Sequence, residues 1–173
     1  MKGARKVHPM RRPEKEISDP EALDGVLRAA SILYLALNAD PAPYVVPVCF
    51  GVEGGRLYVH GAGAGTKIDL IRANPVVGFS ACADVTITPA AIACSSTASG
   101  KSVVGTGHAW IVEDEAERIR GLDAIMRHYR TGDSEGPVYQ PQPLSRTCVI
   151  AIHIDTLRGK STGEAPELPP GSR

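Results

Sequence analysis

The sequence predicts a mainly β fold: an antiparallel barrel, closed or nearly closed, with helices packed outside it. Eighteen glycines and fourteen prolines among 173 residues imply many tight turns, which favours strands over a helix bundle. Short alternating runs between residues 31 and 61, separated by turn residues, read as an antiparallel meander. Two later amphipathic segments interrupt the strands. The order becomes helix, three strands, helix, two strands, helix, strand.

Each element has a local reason. In "SDPEALDGVLRAA", Asp19 is a good N-cap and Pro20 suits the first helical position. Leu23, Val26, Leu27 and Ala30 form one apolar stripe. "SILYLALN" is the first strand, and "ADPAP" turns it into the second, "YVVPVCFG". Tyr44, Val46, Val48 and Phe50 alternate with Val45, Pro47 and Cys49, so both faces are apolar and both need covering. Pro47 cannot donate to a ladder, so this strand is expected to be open on one side. "EGG" leads into the third strand, "RLYVHG". "TKIDLIRAN" is a short helix opened by a weak capping box and stopped at Asn74-Pro75.

"VVGFSAC" is the fourth strand, and "ADVTITPAAIACSSTASGK" has no period and reads as a long loop or lid. "SVVGTGHAWIV" is the fifth strand. A helix follows, with Asp114 and Glu117 as its capping box, a stripe of Ile119, Leu122, Met126 and Tyr129, and Gly132 as its stop. "GPVYQPQPLS" is a proline-rich surface loop, and "TCVIAIHID" is the last strand. Residues 17–158 therefore form one domain between polar tails at 1–16 and 159–173.

Composition excludes several functions. Nineteen basic residues balance nineteen acidic ones, so no basic excess points to nucleic acid. No apolar run approaches the ~20 residues of a membrane span, and no secretory signal is visible. Cys49, Cys82, Cys94 and Cys148 show no metal-like spacing and read as reduced thiols of a cytoplasmic protein. No two of the five histidines are spaced as metal ligands, so no metal site is expected.

The densest signal is "LYVHGAGAGTKIDLIRANP", where a strand ends at His60 and alternating glycines lead into a helix with Lys67 in its first turn. Unpaired N–H groups at a helix N-terminus attract anions, and glycines let a phosphate reach them. The stretch fails as a P-loop, because Thr66 and Ile68 stand where Gly and Ser or Thr belong. It fails as a dinucleotide fingerprint because no βαβ unit follows. A monophosphate site and a plain flexible turn both remain open on the residues alone.

"PYVVPVCFGVEGGRLYVHGAGAGTKIDLIRANPVVGF" with "KSVVGTGHAWIVEDEAE" resembles the pyridoxamine-5′-phosphate-oxidase-like flavin-binding split barrels, and within them the nitroimidazole-resistance reductase branch. The resemblance implies a six-stranded split barrel that binds FMN at a homodimer interface. Val46, Pro47, Val48 and Cys49 then border the flavin ring. His60 and Gly61 sit by the ribityl chain, Thr66 and Lys67 bind the phosphate, and Ser102 reaches the cofactor from the fifth strand. Thr66 replaces the arginine of the true oxidases, and the aromatic and basic residues that grip pyridoxamine phosphate are missing, so pyridoxal synthesis is not expected.

The implied activity is reduction or oxidation of a small molecule, a nitroaromatic among the candidates, with His60 as proton donor. Two alternatives keep the fold. One is a storage or sensing protein that holds flavin or haem without turnover. The other is a relative that uses the deazaflavin F420.

Overall fold

The computed structural model describes residues 9–130, 139 and 147–163. A short 3-10 turn at Pro13–Lys15 precedes β1 (Glu16–Ile17), α1 (Pro20–Ala29), β2 (Leu33–Leu37), β3 (Tyr44–Val48), β4 (Phe50–Glu53) and β5 (Arg56–Gly61). Then follow α2 (Thr66–Ala73), β6 (Val76–Thr88), β7 (Thr97–Ile111), α3 (Glu115–Tyr129) and β8 (Cys148–Thr162). Gly132 and the proline-rich loop fall outside the described residues, Tyr139 apart.

The strands form one antiparallel sheet in the order β3-β2-β6-β7-β8-β5-β4, with β1 added to β8. β3 and β4 stand at opposite ends of that order, yet only Cys49 separates them in the chain. The strand expected as one piece therefore leaves β2 and crosses to β5, closing the sheet into a split barrel. β3 pairs with β2 alone, so Pro47 faces no second ladder.

The barrel is filled by the inward residues of its strands. Leu33, Leu35, Phe50, Leu57, Val59, Ile150 and Ile152 are fully shielded from solvent. Asp19 caps α1 by accepting from the Ala22 N–H at 2.8 Å, and α1 adds Leu23, Val26 and Leu27 to this core.

The expected stripe of α3 is corrected. Its buried residues are Gly121, Leu122, Ala124 and Ile125, while Met126 and Tyr129 stay partly exposed. The physical reason is backbone approach. A Cβ at Gly51 would collide with the backbone of Ala124 and Ile125, so α3 lies directly on β4 along its small residues.

The predicted loop after Cys82 is corrected too. β6 and β7 continue as a hairpin arm in which Thr86, Ile87 and Thr88 pair with Ser99, Ala98 and Thr97. A register shift between Ala83 and Thr86, with Asp84 at φ 54°, breaks the alternation and hides the strands from a periodicity reading. At the C-terminal end, β8 runs on to Thr162, and β1 pairs there through Glu16 with Lys160 and Ile17 with Gly159.

Candidate functional site

The break at Cys49 opens a cleft. Beyond Phe50, which pairs with Val59, β3 turns toward β2 and leaves the end of β5 without a neighbour on that side. Tyr44–Val48 on β3 and His60–Gly61 at the end of β5 are the strand edges this split leaves unpaired with each other. The branch point is pinned by α3. The Tyr129 hydroxyl accepts the Phe50 N–H at 3.1 Å and donates to the Ser31 carbonyl at 2.8 Å. Burial raises the Tyr129 pKa, and the neighbouring Cys49 pushes it the same way, so the hydroxyl keeps its proton. His128 Nε2 lies 2.7 Å from the Ala30 carbonyl, which can only accept, so that nitrogen carries the proton. Its ring packs on Phe50 with centroids 4.4 Å apart.

The structure places the predicted residues as follows. Val46 and Val48 face the barrel interior, while Pro47 and Cys49 are exposed outside it. His60 is exposed, whereas Tyr58, two residues earlier, is buried under α3. Gly61 is half-buried, and Lys67 Nζ lies over it. A Cβ added at Gly61 would stand 3.1 Å from that nitrogen. Gly61 thus lets the ammonium rest against the strand backbone.

The capping box at α2 is corrected. Gly65, at φ 112°, occupies the N-cap with no side-chain cap bond, and Thr66 is already helical. That φ excludes an L-side chain at little strain, so no hydroxyl can take the cap. The first turn of α2 keeps its N–H groups free of side-chain acceptors, next to Lys67.

Ser102 does not join this cleft. It pairs with Cys82 on β6, and β2 stands between β6 and β3. At the usual strand spacing Ser102 is about 14 Å across the sheet from β3. It belongs to the outward face, with Val45, Tyr34, Val76 and Val104, which are 43–55 % exposed.

Two further features were not legible locally. Arg72 at the end of α2 and Arg118 near the start of α3 line a pocket with Cys148, the register partner of Gly61. Burial pushes the Cys148 thiol pKa up, while Lys67, Arg118 and Arg72 pull against it. On the outward face, Asp155 is the extra residue of a β-bulge in β8, and its carboxylate meets His108 Nδ1 at 2.6 Å. Only an interrupted alternation after Ile154 marks the second of these places in the sequence. Among the described residues, no group of three or more His, Cys, Asp or Glu is placed to hold a metal ion. No helix there is long and apolar enough to cross a membrane.

An antiparallel split barrel with a cationic, glycine-lined cleft defines the class of protein. The sequence profile of the pyridoxamine 5′-phosphate oxidase family matches residues 19–161, and the chain belongs to that family. A candidate 5-nitroimidazole antibiotic resistance protein from Bacteroides thetaiotaomicron shares the fold with a TM-score of 0.72 at 26 % identity, covering 84 % of this chain and 86 % of that one. The flavocytochrome Anf3 from Azotobacter vinelandii aligns with a TM-score of 0.76 at 21 % identity, over 96 % of this chain and 78 % of that one. A FAD and haem binding protein from Mycobacterium smegmatis aligns with a TM-score of 0.73 at 23 % identity, over 90 % and 77 %. These last two show the fold alone. An uncharacterised protein of Rhizobium meliloti is 39 % identical over 59 residues, and the matched stretch spans 34 % of this chain and 38 % of that protein.

Proposed function

We propose that the chain is a flavin-dependent oxidoreductase acting on a small organic acceptor, with nitroaromatic compounds such as nitroimidazoles as the first candidates. One observation carries this reading: in a chain of this family, Lys67 lies on the bare backbone of Gly61 beside the uncapped first turn of α2. A cation, free N–H groups and a missing Cβ fit a phosphate ester such as that of FMN. Bound flavin supplies hydride and single-electron transfer.

The chain's own residues do the rest. Lys67, Thr66 and the first turn of α2 hold the phosphate. On the Val46–Cys49 segment, Pro47 and Cys49 present the outward side along which a flat ring packs, while Val46 and Val48 anchor the strand in the core. His60, exposed at the opposite wall, delivers a proton to the acceptor. The apolar outward face of Val45, Tyr34, Val76 and Val104 is covered by a second copy of the chain, and Ser102 reaches a cofactor across that contact. The four cysteines are free thiols, which suits the cytoplasm.

The absorbance spectrum of the purified protein tests the reading. Flavin bands, bleached by a chemical reductant and restored by a nitroimidazole, support it. A protein that takes up no flavin on titration overturns it. A second reading, haem storage or sensing, is favoured by His108. Asp155 fixes its Nδ1 and leaves Nε2 outward, the arrangement usual for a metal-ligating imidazole. A Soret band lost in His108→Ala supports that reading, and its absence after haem titration removes it.

A further inference from the structure

The register of the sheet sets a row of exposed side chains across its outward face. Val76 on β6 lies opposite His108 on β7, His108 opposite His153 on β8, and His153 opposite Arg56 on β5. Residues directly opposite on antiparallel strands point to the same side, with Cβ atoms about 4.5–5.5 Å apart. His108 and His153 are both exposed, so the two imidazoles stand side by side facing solvent. Spacing along the chain hides this pair, because its members belong to different strands and meet only through the β7–β8 ladder.

The bulge in β8 prepares one of the two rings. Thr106 pairs with Thr156 and Gly107 with Ile154, which leaves Asp155 over as an exposed carboxylate. Its Oδ2 lies 2.6 Å from His108 Nδ1. A carboxylate accepts, so Nδ1 carries the proton and Nε2 keeps its lone pair. A carboxylate behind an imidazole fixes the ring and strengthens it as a ligand. The His153 side chain has no hydrogen-bond or ion-pair partner among the described residues, so its nitrogens are open. Arg56, next in the row, is turned aside: its guanidinium lies 3.3 Å from the Glu117 carboxylate and over the Trp110 ring. The neighbouring Thr106 and Thr156 hydroxyls bond each other at 2.7 Å.

We propose that His108 and His153 form a two-histidine site for a divalent transition-metal ion of the Zn²⁺, Ni²⁺ and Cu²⁺ class, with Asp155 behind His108 as the orienting carboxylate. Imidazole nitrogens suit these ions. The described residues supply two direct ligands, fewer than three, so water completes the coordination. Two imidazoles side by side share one side of the ion. The axial positions of a haem iron lie on opposite faces of the porphyrin, so this pair suits a small ion and not one haem. The ion ties β7 to β8 beside the bulge, where the ladder is interrupted. The proposal is independent of the flavin reading.

The test is calorimetric titration of the full chain, without an affinity tag, with NiCl₂. Parent, His108→Ala, His153→Ala and Asp155→Asn are compared. Ni²⁺ is the probe because the exposed thiols of Cys49, Cys82 and Cys94 favour softer ions. The expected result is one Ni²⁺ per chain, with uptake lost when either histidine is removed. An outer carboxylate is worth roughly 10–100-fold in metal affinity, so Asp155→Asn should weaken Ni²⁺ toward the lower end of that range, since Asn still accepts through its oxygen. An ion that binds only the folded chain raises its Tm. Saturating Ni²⁺ should therefore raise the melt of the parent and leave those of both histidine variants unmoved. Metal-free melts check that each variant folds, and His108→Gln and His153→Gln stand in for an alanine variant that does not.

Ni²⁺ uptake that is the same in the parent and both histidine variants is adventitious binding elsewhere and overturns the proposal. Uptake that needs only one of the two histidines overturns the pair, and absence of uptake overturns the site. Haem uptake through His108 with no Ni²⁺ uptake assigns this face to a porphyrin and also overturns it. The flavin reading is decided separately by flavin titration.

Discussion

Lys67→Ala tests the proposed phosphate contact. The ammonium lies over Gly61 and is part of no ion pair among the described residues, so its loss breaks no ion pair of the fold there. The side chain is half-buried, which places its field between two limits. Two unit charges ~4 Å apart attract by about 1 kcal/mol in water and about 4 kcal/mol at an effective dielectric of ~20. A charge-assisted hydrogen bond measured by substitution falls between these, at about 1.5–3 kcal/mol. At 1.4 kcal/mol per tenfold, that is a loss of roughly 10–150-fold in FMN affinity. Riboflavin lacks the phosphate and should weaken less than about threefold. The assay is quenching of flavin fluorescence on titration, with a thermal melt to show an intact fold. Equal losses for both ligands would show that Lys67 does not contact the phosphate, and the cleft would have to be read another way.

Other consequences can be checked alongside it. His60→Ala should keep most cofactor affinity but slow reoxidation of bound flavin by a nitroaromatic by roughly 10²–10⁴-fold, the scale of a lost acid–base group; an unchanged stopped-flow rate rejects the assignment. Tyr129→Phe removes two hydrogen bonds at the barrel's branch point, each worth about 0.5–1.5 kcal/mol. Tyr129 is 39 % exposed, so water partly replaces them and the lower half of the range applies. A loss of about 1–2 kcal/mol lowers Tm by roughly 2–8 °C in a chain of this size, and a melt unchanged within 1 °C would refute the pinning role. Because burial raises the Tyr129 pKa, its contribution is complete below the unfolded value of about 10 and is lost as pH climbs through the higher folded one. Alkaline denaturation curves should therefore be less steep above that pH in Tyr129→Phe. If a second copy covers the outward face, Val104→Arg should convert a dimer to a monomer by light scattering at micromolar concentration, and a parent protein already monomeric there would remove the interfacial site.

Most elements were legible because their causes are local. Asp19 and Asp114 each cap a helix through a backbone N–H three residues on, as their positions imply. "RLYVHG" is a strand and "TKIDLIRA" a helix at the predicted places, since turn residues bound both. The candidate cleft was legible in the same way, because glycines, a histidine and a lysine stand within one short stretch. What the residues could not show is which neighbour each strand chooses. "YVVPVCFG" alternates evenly through Cys49, so nothing local marks where it exchanges β2 for β5. That exchange is a closure event. At that point α3 brings the Tyr129 hydroxyl to the Phe50 N–H from 79 residues away. The face of α3 was misread for a related reason. The sequence suggested a stripe through Ile119, Leu122, Met126 and Tyr129, but the helix lies on Gly51 and buries Gly121, Ala124 and Ile125 beside Leu122.

The sequence by itself thus determined most of the secondary elements, the balanced charge and the glycine-lined loop before α2, all properties of neighbours along the chain. The tertiary structure decided the rest. Folding carries Arg72 and Arg118, 46 positions apart, to the wall of one pocket beside Cys148. It also uses a bulge in β8 to aim Asp155 at His108. These are distances through space between residues with no periodic relation. They come into being only when the barrel closes.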